Sequence, residues 1–211
     1  MAYLAEPVPT VPQPRPSGPR GRSGPWLTTR PGRAVDGAPA GAVLFGRDGT
    51  LLQGVSCNGD PAMVRPTAGI RAALAALRAA GFALGVVSNQ PGVARGLLGR
   101  AQVEAVQARA EALLGPFDVW AVCPHGPHDG CGCRMPTPAL VTAACRALGV
   151  PSARATVICS TDAVADAALA AGAHPIRVRE RATEAGHSPC TLTTHRTAGD
   201  PVQAAELLLR P

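Results

Sequence analysis

Ala42-Val-Leu-Phe-Gly-Arg-Asp-Gly-Thr-Leu51 is an apolar, β-prone run that breaks into a turn carrying Gly46, Asp48, Gly49 and Thr50. A short apolar run closed by turn residues predicts a buried strand with a small acidic loop at its C-terminal end. The pattern repeats along the chain. Residues 82–87 predict a second strand, ending in Ser88-Asn89-Gln90-Pro91-Gly92, and residues 117–122, 155–158 and 175–178 predict three more. Helical spacing falls between them, over 67–80, 100–114, 138–148 and from the fourth strand through Ala171, with Gly81, Gly115, Gly149 and Gly172 as stops. A terminal helix over 201–209 has Asp200 as N-cap and Pro201 at its first position. Strand and helix alternating in this order predict an α/β fold, a parallel sheet covered on both faces. The loops that begin at Gly46, Ser88, Cys123 and Cys159 then converge at the C-terminal edge of the sheet, where such folds carry their crevice.

Composition sets the outer bounds. The chain has 211 residues, 46% of them hydrophobic and 3% aromatic, so its core is built of Ala, Leu and Val. It contains no lysine, and all 20 of its basic side chains are arginine. Any chemistry that requires a lysine is closed to it. No apolar run reaches the 18 or more residues of a membrane span, and residues 1–9 lack the apolar core of a signal peptide, so a cytoplasmic protein is expected. Residues 1–40 are rich in Pro, Gly and Arg without an apolar period, and read as a disordered arm ahead of a domain at 41–211. The net charge of +6 invites a nucleic-acid reading, but the arm lacks the interleaved aromatics of a single-strand binder, and a solvated tail is the expectation.

The segment Cys123-Pro-His125-Gly-Pro-His128-Asp-Gly-Cys131-Gly-Cys133-Arg134 carries the densest chemistry. Three cysteines and a histidine within eleven residues suit a closed tetrahedral zinc site, with glycine and proline letting a short loop wrap the ion. His125 and His128 compete for the imidazole position. A disulfide is the weaker reading, since one metal uses all three thiols.

These features together resemble the haloacid dehalogenase (HAD) superfamily, in particular its capless branch of heptose bisphosphate and histidinol-phosphate phosphatases. The resemblance covers most of residues 42–178. It implies a Rossmann-like three-layer fold with a zinc loop at 123–133, and assigns the zinc to Cys123, His125, Cys131 and Cys133. It implies that Ser88, Asn89, Arg95 and Arg134 bind the phosphorylated substrate. It places a nucleophilic aspartate, attacking phosphorus to form an aspartyl-phosphate, at the position that holds Gly46. Asp48 keeps the acid/base position. The charge-stabilising lysine of Cys-Arg-Lys-Pro is Met135. Anchoring on Ala167-Ala168-Leu-Ala-Ala171-Gly172 puts Ser160 and Val164 at the two magnesium-site acids, with Asp162 and Asp166 nearby.

Glycine offers no nucleophile, and valine and serine are poor partners for a hard cation that wants carboxylate oxygens. The sequence therefore predicts a degenerate family member, zinc-stabilised and without magnesium, retained to bind a sugar phosphate or a protein partner. Two alternatives stand beside it: a hydrolase acting on a sugar phosphate such as a heptose bisphosphate, and a repurposed enzyme using Asp48 or a reactive Cys159. The plain readings are a turn cap for Asp48 and a buried structural thiol for Cys159.

Overall fold

The computed structural model describes residues 24–30, 39–54, 57–178 and 196–210. In chain order its elements are β1 (Trp26–Thr29), β2 (Ala42–Gly46), α1 (Ile70–Ala79), β3 (Ala83–Asn89), α2 (Pro91–Ala94), α3 (Arg100–Leu114), β4 (Val119–Cys123), α4 (Ala139–Ala147), β5 (Ala155–Cys159), α5 (Asp162–Ala170), β6 (His174–Val178), β7 (Arg196–Ala198) and α6 (Pro201–Leu209). The strands form one sheet in the order β1-β4-β3-β2-β5-β6-β7. All neighbours pair in parallel except β1, which lies antiparallel to β4 with Trp26 opposite Val122.

The inner strands alternate between two apolar layers, as the period of two requires. Ala42 and Leu44 of β2, Ala83 and Val87 of β3, and Ala155, Val157 and Cys159 of β5 pack into one layer, with Leu140, Val141 and Ala144 of α4 and Ala165, Ala167 and Ala168 of α5. Val43, Phe45, Leu84, Val86 and Ile158 face the other, against Ile70, Leu74 and Leu77 of α1, Val106 and Ala110 of α3 and Ala204 and Ala205 of α6. At Gly85 a Cβ would fall 2.6 Å from Val119 Cγ1 and 2.7 Å from Leu44 Cδ2, so this point of the sheet has no room for a side chain. The N-cap expected at Asp200 is in place, its Oδ1 accepting from Gln203 N at 2.8 Å.

Two corrections to the sequence reading concern the edges of the sheet. The arm expected over 1–40 contains β1, and the folded unit therefore starts before residue 41. Trp-Leu-Thr-Thr is itself β-prone, and the surrounding Pro and Gly concealed it. The rest of that arm, apart from its described residues, lies outside the described structure. Residues 196–198, to which the sequence analysis assigns no element, form β7, a three-residue strand that buries only Ala198 and so shows no period. Among the described residues no helix is long and apolar enough to cross a membrane.

Candidate functional site

β2 lies at the point where the chain order turns, with β3 on one side and β5 on the other, which is where open parallel sheets form their crevice. The crevice here has a volume of about 300 Å³ and is lined by Gly46, Arg47, Asp48, Thr50, Ser88, Asn89, Arg134, Met135, Cys159, Ser160 and Val164, among others. That is the low end of the range for a small-molecule site. All the crevice positions singled out in the sequence meet here except Arg95. Arg95 caps α2 as an exposed side chain whose Nη2 points to Cys57 Sγ at 3.1 Å. It lies outside the lining, at the end of the four-residue α2.

The acidic loop is held from several directions. Asp48 Oδ1 accepts from Arg47 Nε at 2.9 Å, and its Oδ2 accepts from Gln90 Nε2 at 3.0 Å. The same Gln90 amide donates to Ser88 Oγ at 2.8 Å, so one buried side chain ties the loop after β2 to the end of β3. Ser160 Oγ donates to the Asp48 carbonyl at 3.4 Å. Gln90, Arg47 and Thr50 carried no role in the sequence reading. Their signal was weak: a glutamine in a turn, and two residues hidden behind the more legible Gly46 and Asp48.

Three donors in this loop lack partners. Arg47 is 1% exposed, yet its Nη1 and Nη2 have no acceptor among the described residues, and neither has the fully buried Thr50 Oγ1. A Cβ on Gly46 would lie 3.2 Å from that Thr50 Oγ1 and 3.8 Å from Cys159 Cα.

The other end of the crevice is tied to the Cys/His loop. Asn89 Nδ2 donates to the Met135 carbonyl at 3.0 Å, and Met135 N–H donates to Asn89 Oδ1 at 3.1 Å. One donor and one acceptor of the Asn89 amide are thus spent on the scaffold. Arg134 Nη1 donates to the His125 carbonyl at 3.1 Å. Met135, Val164 and Cys159 are buried in one apolar layer with Leu140 and Ala165. Burial pushes the Cys159 thiol up to about 12, and the nearby Arg177 guanidinium offsets this only in part. Cys159 is therefore a neutral core thiol, which disfavours the reactive-thiol alternative. Asp162, considered as a metal neighbour, does not line the crevice; it pairs with Arg177 Nη1 at 2.5 Å.

Asp48 is the only carboxylate among the described residues that line the crevice, and both its oxygens already accept hydrogen bonds, one of them from a guanidinium. Magnesium is commonly held by one or two carboxylates together with waters and substrate phosphate oxygens, and Asp48 is the carboxylate that this lining offers.

The Cys/His set is one that could hold a metal ion. One ligand atom from each of Cys123, His125, Cys131 and Cys133 lies within 4.8 Å of the others. Cys123 Sγ is 3.5 Å from His125 Nδ1, 3.8 Å from Cys131 Sγ and 3.4 Å from Cys133 Sγ, and Cys133 Sγ is 3.3 Å from His125 Nδ1. A tetrahedron with metal–sulfur bonds of about 2.3 Å has sulfur–sulfur edges of about 3.8 Å. His128 is exposed and outside the set.

No protein-family model matches the chain. A D-glycero-β-D-manno-heptose-1,7-bisphosphate 7-phosphatase of Pseudomonas putida is 36% identical over 135 residues, which covers 60% of this chain and 77% of that protein. The enzyme of the same name from Bordetella bronchiseptica is 33% identical over 105 residues, 46% of this chain and 58% of that one. Among solved structures, D,D-heptose 1,7-bisphosphate phosphatase from B. bronchiseptica, complexed with magnesium and phosphate, superposes with a TM-score of 0.69 at 30% identity, over 80% of this chain and 98% of that one. With the mostly parallel sheet, the Asp48 loop and the Cys/His cluster in place, the chain belongs to the heptose bisphosphate phosphatase family of the HAD superfamily.

Proposed function

We propose that this protein binds the phosphoryl group of a phosphorylated sugar in the crevice, that Gly46 closes the aspartyl-phosphate route, and that zinc on Cys123, His125, Cys131 and Cys133 stabilises the loop beside it. The observation that carries this reading is the balance of the lining: Ser88 and Arg134 stand against a single carboxylate already bonded twice, with the buried Arg47 adding its charge behind the Asp48 loop. Such a lining favours an anion and, with glycine at position 46, supplies no carboxylate where the family's nucleophile stands. The names of the relatives support a sugar phosphate as the class of ligand. A protein partner is what remains if no phosphate compound binds. The free thiols among the described cysteines suit a reducing, cytoplasmic setting.

The named relatives favour a second reading, hydrolysis of a heptose bisphosphate. Water would then attack phosphorus directly as the bond to the sugar oxygen breaks, with Asp48, oriented by Gln90, taking the water's proton and passing it to that departing oxygen. One experiment separates the two. Heptose 1,7-bisphosphate is offered with magnesium, while binding is followed by calorimetry and phosphate release by a colorimetric assay. Binding without release above the buffer blank, weakened about tenfold or more by Arg134→Ala, is the expected result. Release at the usual enzymatic rates of roughly 1 s⁻¹ or faster, lost in Asp48→Asn, establishes the second reading. Absence of binding refutes the first.

A further inference from the structure

We infer that Arg177 is a positioning residue of the crevice: from β6 its guanidinium clamps the stretch after β5 that forms one wall, and through Ser160 it sets the Asp48 loop. This rests on the ligand-binding role proposed above and assigns that site a determinant outside its own lining.

The wall comes from one short stretch. Five of the lining residues, Cys159, Ser160, Thr161, Ala163 and Val164, lie between the end of β5 and the first turn of α5. The usual local pin of a helix start is missing here. Thr161 is the N-cap of α5, yet its side chain makes no capping hydrogen bond. The hold comes instead from the neighbouring strand. Arg177 stands opposite Cys159 in the parallel register of β5 and β6. Its Nη2 donates to the Ser160 carbonyl at 3.1 Å, and its Nη1 pairs with Asp162 Oδ1 at 2.5 Å. One planar fork of donors thus grips the residues on either side of Thr161. Arg177 is 31% exposed and Asp162 61%, so the ion pair is screened and contributes little to stability. Its effect is geometric: it fixes where the Ser160 carbonyl and the start of α5 lie.

Ser160 passes the constraint on. Its hydroxyl donates to the Asp48 carbonyl at 3.4 Å, while the Asp48 carboxylate accepts from Gln90, which also donates to Ser88. Arg177, Ser160, Asp48, Gln90 and Ser88 therefore form one connected run from β6 to the end of β3. Ser160, Asp48 and Ser88 line the crevice, and Arg177 does not. Arg177 acts through them, as a support that keeps the lining in register.

The test uses the zinc-loaded full chain. Heptose 1,7-bisphosphate is the calorimetric probe, and hydrogen exchange read by mass spectrometry reports on residues 159–166. Arg177→Met keeps the aliphatic stem and removes the donors. It should weaken binding about fivefold to tenfold and speed exchange across 159–166. Arg177→Lys, which returns a charged donor, should bring the dissociation constant back to within about threefold of the parent. Arg154 is the control. It donates to the carbonyls of Pro39 and Ala40 at 3.2 and 2.9 Å, a clamp of the same kind ahead of β5. Arg154→Met should leave the dissociation constant within about twofold of the parent, whatever it costs in melting temperature. Asp162→Ala frees the other prong of the Arg177 fork and serves if Arg177→Met does not fold; weakening of about twofold to threefold is expected from it. Parental binding in Arg177→Met, or in Asp162→Ala in its place, overturns the inference and leaves the proposed function standing. So do unchanged exchange across 159–166, no recovery in Arg177→Lys, or equal weakening in Arg154→Met. A parent chain that does not bind the bisphosphate overturns the inference and the proposed function together.

Discussion

Replacing Asn89 with alanine should loosen the joint between the crevice and the Cys/His loop. Asn89 ends β3, and its amide makes a matched pair of hydrogen bonds with the N–H and C=O of Met135, at 3.1 and 3.0 Å. Met135 is 2% exposed, so both backbone groups lose their partner in a place poorly reached by water. An unsatisfied buried donor or acceptor costs about 1–3 kcal/mol. Two of them, offset where water enters the gap left by the side chain, give about 2–4 kcal/mol. For a domain of this size each kcal/mol moves the melting temperature by about 2–4 °C, so the zinc-loaded variant should melt roughly 4–16 °C below the parent. Circular dichroism against temperature measures this. Asn89→Asp provides a second reading: the carboxylate still accepts from Met135 N–H but repels the Met135 carbonyl, so it should fall below the parent as well. A melting temperature within about one degree of the parent for Asn89→Ala would mean that the pair contributes nothing, and that the loop is held by zinc alone.

Three further outcomes follow from the same structure. Protein purified without chelators should carry zinc by mass spectrometry and lose most of its thermal stability on chelation, since structural zinc sites contribute on the order of 10 kcal/mol or more; a metal-free protein that melts at the same temperature refutes the site. Cys159, its thiol pushed up to about 12 by burial, should resist iodoacetamide in the native state; because the folded value lies above the unfolded one, its contribution to stability is full below about pH 9 and is lost as pH rises beyond it, and alkylation of native protein at neutral pH sinks this. Gly85→Ala should destabilise by about 1–3 kcal/mol through overpacking, given a Cβ that falls 2.6 Å from Val119 Cγ1; denaturant unfolding at unchanged m value is the measurement.

The inner architecture was legible because period and burial agree there. Ala42–Gly46 and Val119–Cys123 are buried throughout and read as uninterrupted apolar runs, and Arg100–Leu114 and Pro201–Leu209 carry clear helix ends. The edges were not legible. β1 and β7 bury little, gain their order from pairing with β4 and β6, and therefore leave almost no trace in hydrophobicity. The same holds at the site. Cys123, His125, Cys131 and Cys133 announce themselves by spacing, whereas the roles of Gln90, Arg47, Thr50 and Arg177 depend on distances between segments up to 42 residues apart, such as Gln90 to Asp48.

The pattern of retained and altered positions has a physical logic. Asp48 and Asn89 each hold two segments together, so losing either would cost stability as well as chemistry. Gly46, Met135, Ser160 and Val164, the positions that the resemblance assigns to a nucleophile, a lysine and two acids, carry little of that scaffold. Met135 and Val164 instead extend the apolar layer that holds Leu140, Ala165 and Cys159 up to the crevice wall. A lysine at 135 or an aspartate at 164 would set a charge against that apolar layer, at a cost of several kcal/mol wherever it stays buried and unpaired. Changed singly, these positions are therefore coupled rather than additive. At Met135 and Val164 a single charged substitution is opposed by the core, while Ser88 and Arg134 stay at the crevice wall.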